Sequence, residues 1–375
     1  MMLIMGIVFA LTIILGVPVV FCLGLAGLAF IQISKNLTFN VLPTIIFGGL
    51  DSFPLMAIPF FIMAGDLMGR CGILPKLVDL ADSLVGHLRG GLAYITIVAS
   101  MLFAGVTGVA VADAAAVGSM LIPSMISQGY SRKFSASLTA SAAMMGPMFP
   151  PSVGMLIYAY VYGGGISVAK LFLMGCTPGV LVGLGMMAIV YARSFRQDFP
   201  QSSSNFSLGH VLRSLQRSLS GVMVPIILIG GIVGGVFTPA EAGAVAVAYA
   251  LIIGVFVTRC LGIRDIAASF LCSFKTSAVI FIVLATAKVV SWILIIERVP
   301  YTVGSFFHAH ISSPHIFLLC TILLMMLLGI ALEPVATMIL LIPVFGPLAV
   351  AYGIDPHLFG LIMVMTVQIA LITPP

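Results

Sequence analysis

Charge is what this sequence has least of. Asp, Glu, Lys and Arg together make up 7% of the 375 residues, against about 25% in an average soluble protein. So few charges would not cover the surface of a water-soluble domain of this length. Hydrophobic residues make up 61% of the chain, and the mean hydropathy is +1.25. Apolar runs long enough to cross a hydrocarbon layer about 30 Å thick recur throughout. The sequence therefore predicts an all-α integral membrane protein, a multi-span helical bundle.

Motifs of catalysis and metal binding are also missing. The six cysteines are scattered, without CxxC spacing, and the histidines show no ligand pattern beyond the pair His308 and His310. There is no P-loop, no G-x-S-x-G elbow and no basic stripe with interleaved aromatics. We therefore expect neither an enzyme nor an ATP-driven pump, no organic cofactor and no nucleic-acid partner. Residues 1–33 lack the basic start of a signal peptide, which predicts one retained spanning helix.

One polar stretch, residues 194–218, divides the chain into halves at 1–193 and 219–375. It contains Arg196, Arg213 and Arg217, and this basic excess predicts a cytoplasmic linker by the positive-inside rule. The two halves resemble one another: residues 129–151 and 353–375 both begin with Gly and end with Pro-Pro, at a constant offset of 224. Internal repeats are typical of secondary transporters. We predict a repeat and expect it to be inverted, although the sequence does not exclude a parallel one.

Glycine and proline interrupt the apolar runs at positions that match between the halves. The first half has Gly146-Pro147 and Pro150-Pro151-Ser152, and the second has Glu333-Pro334 and Thr373-Pro374-Pro375. Such residues end helices and free backbone groups, which a membrane tolerates only inside protein or beside a cavity. Exposed carbonyls then bind cations, and helix N-termini bind anions. These breaks indicate a binding site; the alternative is ordinary kinks at the membrane surface.

Two acids lie in strongly apolar surroundings near these breaks, Asp113 and Glu333. An ionisable residue inside a membrane suggests function, and carboxylate oxygens suit a hard cation such as sodium. The alternative is a capping or packing role. For Glu241 we favour the structural interpretation, because Thr238-Pro239-Ala240-Glu241 predicts a helix start with a Thr cap, Pro at the first position and Glu at the third.

The set of motifs resembles the large permease subunit of TRAP transporters, the DctM-like family. The residues that carry the likeness are Thr107-Gly108, Asp113, Ile122-Pro123, Gly129-Tyr130, Gly146-Pro147, Pro150-Pro151-Ser152, Leu332-Glu333-Pro334, Gly353-Ile354-Asp355-Pro356, Phe359-Gly360 and Leu371–Pro375. The resemblance extends over the whole chain. It implies a sodium-driven secondary transporter of the bacterial inner membrane, with two re-entrant helical hairpins in a domain that moves as an elevator.

The resemblance also implies partners and site residues. The partners are a small four-helix membrane subunit and a periplasmic binding protein that delivers an organic acid anion. By position, sodium would bind near Thr107, Gly108, Asp113, Gly329, Glu333 and Thr373. The substrate would lie beside Gly146, Pro147, Pro150, Pro151, Ser152, Thr373, Pro374 and Pro375. Backbone carbonyls would be the main sodium ligands.

Two departures from the family pattern bear on activity. Ala104, Val106 and Val109 stand around Thr107 where the family has serines, which would weaken one sodium site. The chain also ends at Pro375, where family members continue into further helices, so we expect a fragment or a truncated frame. Two alternatives to the permease stay open: a carboxylate or ion symporter of another inverted-repeat family that needs no binding protein, and an inactive remnant or membrane scaffold.

Overall fold

The computed structural model describes residues 1–34, 38–195, 199 and 207–373, and every regular element in these ranges is helical. The α-helices, numbered in chain order, are α1 Met2–Ile14, α2 Val19–Ile33, α3 Val41–Leu50, α4 Ala57–Arg70, α5 Ile73–Val85, α6 Gly91–Thr107, α7 Ala110–Ser127, α8 Arg132–Ala143, α9 Val153–Tyr162, α10 Val168–Ser194, α11 Leu208–Val233, α12 Pro239–Ile252, α13 Ile263–Ile296, α14 Val299–His310, α15 Pro314–Ala331, α16 Pro334–Ala351 and α17 Pro356–Leu371.

Seven helical segments among the described residues are long and apolar enough to cross a membrane. They are Phe53–Arg70, Ala110–Ser127, Val168–Ser194, Leu208–Val233, Pro239–Val257, Ile263–Ile296 and Pro334–Ala351. Seven further apolar helices have only 10–17 residues, fewer than the roughly 20 that a straight crossing needs. The predicted multi-span helical bundle is confirmed, and about half of its apolar helices have the length of partial spans.

The prediction of one helix over residues 1–33 is wrong. Two helices, α1 and α2, pack against each other and are joined by a short turn. Gly16 in this turn has a φ of +73°, and Pro18 is the N-cap of α2. Glycine adopts that left-handed backbone without a steric cost, and proline stops a helix from continuing through it. The uniform hydrophobicity of the segment conceals this break.

The polar linker outside helices is shorter than the sequence predicted. Its last part, from Leu208 onward, belongs to α11, which also includes Arg213 and Arg217. The exposed residues Leu208, Leu212 and Leu215 recur at spacings of three or four, which is the period of a helix. Residues 196–198 and 200–206, including Arg196, lie outside the described residues.

The helices group into two compact units that interleave along the chain. The first unit comprises residues 1–56, 154–167 and 275–375, and the second comprises 57–153 and 168–274. The halves predicted at 1–193 and 219–375 describe sequence similarity, whereas these units describe packing. The predicted boundaries therefore stay a prediction about the repeat.

In the second unit α6 is the central helix, packed against α4, α5, α7, α8, α10 and α11. Small residues let these helices approach closely. A Cβ atom on Gly243 of α12 would lie 2.8 Å from Cβ of Phe60 in α4, and one on Gly179 of α10 would lie 2.8 Å from the ring of Phe149. Because lipid gives helices no hydrophobic reason to associate, such close packing is the main attraction between them.

In the first unit α17 packs against α15 and α16. The fully buried Tyr158 of α9 donates a hydrogen bond of 2.6 Å from its hydroxyl to the carbonyl of Pro356. Its ring lies so close to Gly360 that a methyl group there would overlap it. Gly360 thus allows the short helix α9 to pack directly on the first turn of α17.

The order of elements is the same in the two regions that the sequence aligned. In each, a helix ends, two residues interrupt it, a second helix follows with an internal proline, and a glycine turn leads to a third helix. The turn glycines Gly129 and Gly353 have φ of +98° and +73°. The following caps, Ser131 and Asp355, accept hydrogen bonds from backbone N–H groups of α8 and α17. The duplication and its inverted sense stay predictions that this order supports.

The predicted helix start at Thr238 is confirmed. The Thr238 hydroxyl accepts from the Glu241 N–H, and the Glu241 carboxylate accepts from the Thr238 N–H at 2.8 Å, with Pro239 in the first turn. Such a capping box satisfies two N–H groups that the helix itself leaves unpaired.

Replacing Thr238 with Ala should lower the free energy of unfolding by about 1 kcal/mol, because a cap acceptor is lost. The readout is the midpoint of thermal unfolding of the detergent-solubilised protein. Thr238→Ser is the matched control and should keep most of the stability, since serine supplies the same oxygen. Equal losses in both variants would argue against the cap.

Candidate functional site

The first interruption separates α6 from α7 at Gly108 and Val109. Gly108 has a φ of +64°, and a Cβ atom built on it would overlap the carbonyl oxygen of Pro151. Val109 is extended and offers no side-chain cap to α7. The loop therefore needs glycine twice over, for its backbone angle and for the approach of a second chain segment.

The second interruption supplies that segment. Residues Gly146–Met148 form a single 3-10 turn, and α9 begins only at Val153. Pro151 therefore lies two residues before the first residue of α9. The fully buried Ser152 donates a 2.6 Å hydrogen bond from its hydroxyl to the carbonyl of Pro147. This bond closes the turn on itself and holds its carbonyls close to the first interruption.

Asp113 lies where the two interruptions meet. It is in the first turn of α7 and has no exposed surface. The Thr107 hydroxyl donates to Asp113 Oδ1, while Oδ2 has no hydrogen-bond partner among the described residues. A Cβ atom on Gly146 would collide with Oδ2 and would lie 3.4 Å from the Ala110 nitrogen. The backbone at Gly146 is thus pressed against the free carboxylate oxygen.

All of the first-half residues that the sequence singled out belong to this one place in the second unit. Gly108 and Asp113 contact the segment that contains Gly146, Pro147, Pro150, Pro151 and Ser152, and Thr107 is hydrogen-bonded to Asp113. Among the described residues no three His, Cys, Asp or Glu side chains cluster as they would around a transition metal. The donors available to a cation are oxygens of carboxylate, hydroxyl and backbone carbonyl groups.

The second-half residues have different surroundings, in the first unit. Glu333 is the N-cap residue of α16, but its side chain is exposed and caps nothing. A Cβ atom on Gly329 would lie 2.5 Å from Cβ of Ala370, so Gly329 brings α15 close to α17. The Thr373 hydroxyl donates back to the Ile369 carbonyl at 3.1 Å. Pro374 and Pro375 lie outside the described residues.

Sequence reasoning missed two polar groups. Gln368 in α17 is buried, and its Oε1 has no partner in the described part of the chain. Lys288 lies within the apolar length of α13. Both are single polar residues in long apolar runs, which is the signal that drew attention to Asp113, and that signal would have found them.

The contact between Gly108 and Pro151 predicts a large effect of a single methyl group. Gly108→Ala should lower the free energy of unfolding by at least about 3 kcal/mol, because an unfavourable backbone angle is combined with overlap of a carbonyl. The matched control is Gly72→Ala: its φ of +67° is nearly the same, and nothing lies within 4 Å of the added atom. That variant should lose only about 1 kcal/mol. Similar unfolding midpoints for the two would contradict the packed interruption.

Comparison with known proteins identifies the family of this chain. Residues 6–375 match the family model described as "Tripartite ATP-independent periplasmic transporter, DctM component". A putative TRAP transporter large permease protein of Haemophilus influenzae is 37% identical, over 97% of this chain and 85% of that protein. The isethionate TRAP transporter permease protein of Oleidesulfovibrio alaskensis is 38% identical, over 98% of this chain and 58% of that longer protein.

The sialic acid TRAP transporter large permease protein of Vibrio cholerae is 35% identical, over 99% of this chain and 85% of that protein. The crystal structure of the Alcanivorax borkumensis YdaH transporter matches with a TM-score of 0.56 at 15% identity, covering 90% of this chain and 78% of that one. This last likeness concerns the fold. The family match and the identities lead to one conclusion: the chain is a multi-span membrane protein that belongs to the DctM family, the large permease components of TRAP transporters.

Proposed function

We propose that this chain couples the inward movement of sodium ions to the import of an organic acid anion across the bacterial inner membrane. In this proposal a periplasmic binding protein delivers the anion, and a small four-helix membrane subunit completes the transporter. The two interrupted regions, α6–α7 in the second unit and α15–α16 in the first, are the two re-entrant hairpins of an elevator mechanism. The observation that carries the sodium assignment is the buried carboxylate of Asp113, which has no counter-charge beside it among the described residues.

A carboxylate without exposed surface is costly unless a positive charge, a proton or several donors compensate it. Thr107 supplies one donor to Oδ1, and Oδ2 has none. A sodium ion beside Oδ2 would neutralise the charge. The Gly146 backbone lies against Oδ2, so oxygens of this turn are further candidate ligands, and hard cations prefer oxygen. A proton on Oδ2 is the competing explanation.

Coupling to a cation also follows from the energetics of importing an anion. Moving one negative charge into a cell that is negative inside costs about 2.3 kcal/mol per 100 mV. Sialic acid and isethionate, after which two relatives are named, are both anions at neutral pH. Co-transported sodium ions offset this cost when they outnumber the charges on the substrate. The binding protein would then set most of the choice among acids.

The function is tested in proteoliposomes containing the protein, its small subunit and its binding protein. We expect an inward sodium gradient to drive uptake of a radiolabelled acid from a panel of sialic acid, isethionate, succinate and keto acids. Uptake should stop when potassium replaces sodium at constant pH. Uptake without the binding protein would favour a symporter of another kind, and no uptake of any acid would contradict the proposed function.

Asp113→Asn should reduce sodium-dependent uptake at least about tenfold, because the amide keeps the size of the side chain but removes its charge. Thr107→Val should weaken sodium dependence less, since one donor to the carboxylate is lost. Glu333→Gln tests the predicted second acid. Its side chain is exposed and does not cap α16, so any ion site that it forms must include groups outside its own helix. The matched control is Glu241→Gln, an exposed acid in an apolar helix whose capping role an amide can still fill. Unchanged sodium dependence in Asp113→Asn would remove this acid from the ion site.

The proton explanation predicts a different result. If Asp113 carried a proton rather than faced sodium, a pH gradient alone would drive uptake by the unmodified protein in sodium-free buffer. In that case Asp113→Asn would abolish the response to pH and leave any response to sodium intact.

A further inference from the structure

Two cysteines of the second unit, Cys71 and Cys260, lie side by side although 189 positions separate them in the chain. The Cys260 Sγ is 3.2 Å from the carbonyl oxygen of Cys71, and the two side chains are also hydrogen-bonded to each other. Both are free thiols. A Cβ atom on Gly254 would lie 2.8 Å from Cys71 Sγ, so this glycine makes room for the sulfur. The pair is therefore placed for chemistry between its two sulfur atoms.

The packing of α4 against α12 brings the cysteines together. Gly243 of α12 contacts Phe60 of α4, and Gly254, in the π-helical turn that continues α12, contacts Cys71. Both pairs are 183 positions apart in the sequence, and a constant separation means that the two helices run parallel. The spans that contain them end one residue before Cys71 and three residues before Cys260. Both cysteines therefore lie just outside the apolar spans, at the same face of the membrane.

The neighbouring helices indicate which face this is. The Tyr249 hydroxyl of α12 donates to the Ser220 carbonyl of α11, and a short turn joins the two helices, which are antiparallel. The start of α11, directly after the basic linker, is thus on the same side as the end of α12. Arg259 and Arg264 flank Cys260, with Asp265 as the acid beside them. By the positive-inside rule this is the cytoplasmic side, as predicted for the linker.

The two thiols differ in their access to solvent. Cys260 is exposed, whereas Cys71 is only 3% exposed. Burial, followed by the neighbouring Cys260 thiol, raises the pKa of the Cys71 thiol to about 12. Because the thiolate is the reactive form, Cys71 is inert towards reagents in solution at neutral pH. An oxidant therefore reaches Cys260 first, and Cys71 is the thiol next to the product.

The loop before α13 has an unusual backbone that turns Cys260 towards α4. Arg259 has a φ of +52°, which is uncommon for a residue with a side chain. It follows a π-helical turn over residues 253–257, a feature often found at functional sites. The Cys260 Sγ also lies 2.8 Å from the Thr258 hydroxyl oxygen. The loop thus holds the sulfur of Cys260 between its own threonine and the end of α4.

We propose that Cys71 and Cys260 are a redox pair, which forms a reversible disulfide when a peroxide reaches the cytoplasmic face. The peroxide oxidises the Cys260 thiol to a sulfenic acid and releases one water. The Cys71 sulfur then attacks the sulfenic sulfur, the S–O bond breaks, and the Cys71 proton leaves with the hydroxide as a second water. The two electrons of the new bond are those that the peroxide gained, and a dithiol reductant reverses the step.

Two general properties of thiols fit this sequence of events. Disulfides in a reducing cytoplasm are mostly transient and redox-sensing, and redox-sensing cysteines are typically exposed and next to a resolving thiol. The high pKa of Cys71 is offset by proximity, because attack within one molecule needs no encounter. The bridge would tie the loop before α13 to the end of α4. The inference is independent of which ion or acid the protein moves.

The first test maps disulfides by mass spectrometry in the purified protein after treatment with hydrogen peroxide and alkylation of the remaining thiols. We expect a peptide pair joined through Cys71 and Cys260 in at least about half of the molecules, and its loss after dithiothreitol. Cys272→Ser is the matched control: it removes another exposed cysteine of this region and should leave the bridge intact. In Cys71→Ser, dimedone labelling of Cys260 should rise about tenfold, since no thiol resolves the sulfenic acid.

The map of the unmodified protein decides the question even if a variant fails to fold. Oxidation of Cys260 to sulfenic or sulfinic acid with Cys71 still free would overturn the inference. A bridge from Cys260 to Cys272, or to a second copy of the chain, would overturn it as well.

A second test concerns the face of the membrane. A membrane-impermeant maleimide should label Cys260 in inside-out vesicles and not in right-side-out ones, with Cys260→Ser as the background. Treatment with peroxide beforehand should reduce this labelling at least about tenfold, and dithiothreitol should restore it, because the bridge consumes the thiol. Labelling from the outer face alone would contradict the cytoplasmic site, and labelling that peroxide leaves unchanged would contradict the redox pair.

Discussion

The constraint on which this structure depends is that a helix cannot end inside a membrane without partners for its freed backbone groups. The second unit meets this constraint by bringing two interruptions together. The loop between α6 and α7 approaches the segment before α9 so closely that Gly108 faces the Pro151 carbonyl. Gly146 likewise lies against the Asp113 carboxylate, and the Ser152 hydroxyl donates a hydrogen bond back to the Pro147 carbonyl of its own turn. Each interruption thus supplies part of the environment that the other one needs.

On the sodium proposal, the same constraint accounts for an acidic residue at this position. A buried carboxylate with one unpaired oxygen is a poor arrangement for stability alone. On the sodium proposal it becomes favourable once a cation lies beside that oxygen. The arrangement that lowers the stability of the empty site is therefore also the one that would give it affinity for an ion. This is the physical basis of the sodium proposal.

The two regions aligned by the sequence share an order of helices but differ in their chemistry. Asp113 is buried and bonded to Thr107, whereas Glu333 is exposed and bonded through its backbone carbonyl to Thr337. In the first unit Lys288 lies beside the prolines of α16.

The sequence by itself determined the class of the protein and the locations of its breaks. Scarce charge dictates a membrane environment, and glycine and proline end helices through their own backbone geometry, as at Gly146-Pro147 and Thr238-Pro239. Tertiary structure decided what those local features do. Nothing in the chain near Asp113 indicates that Gly146, 33 positions away, presses on its carboxylate, or that Gly49 makes room for the stem of Lys288. Uniform hydrophobicity also concealed the turn at Gly16. Such contacts depend on which helices pack together, and among apolar helices in lipid that choice rests on close packing of small residues, for which hydropathy gives no signal.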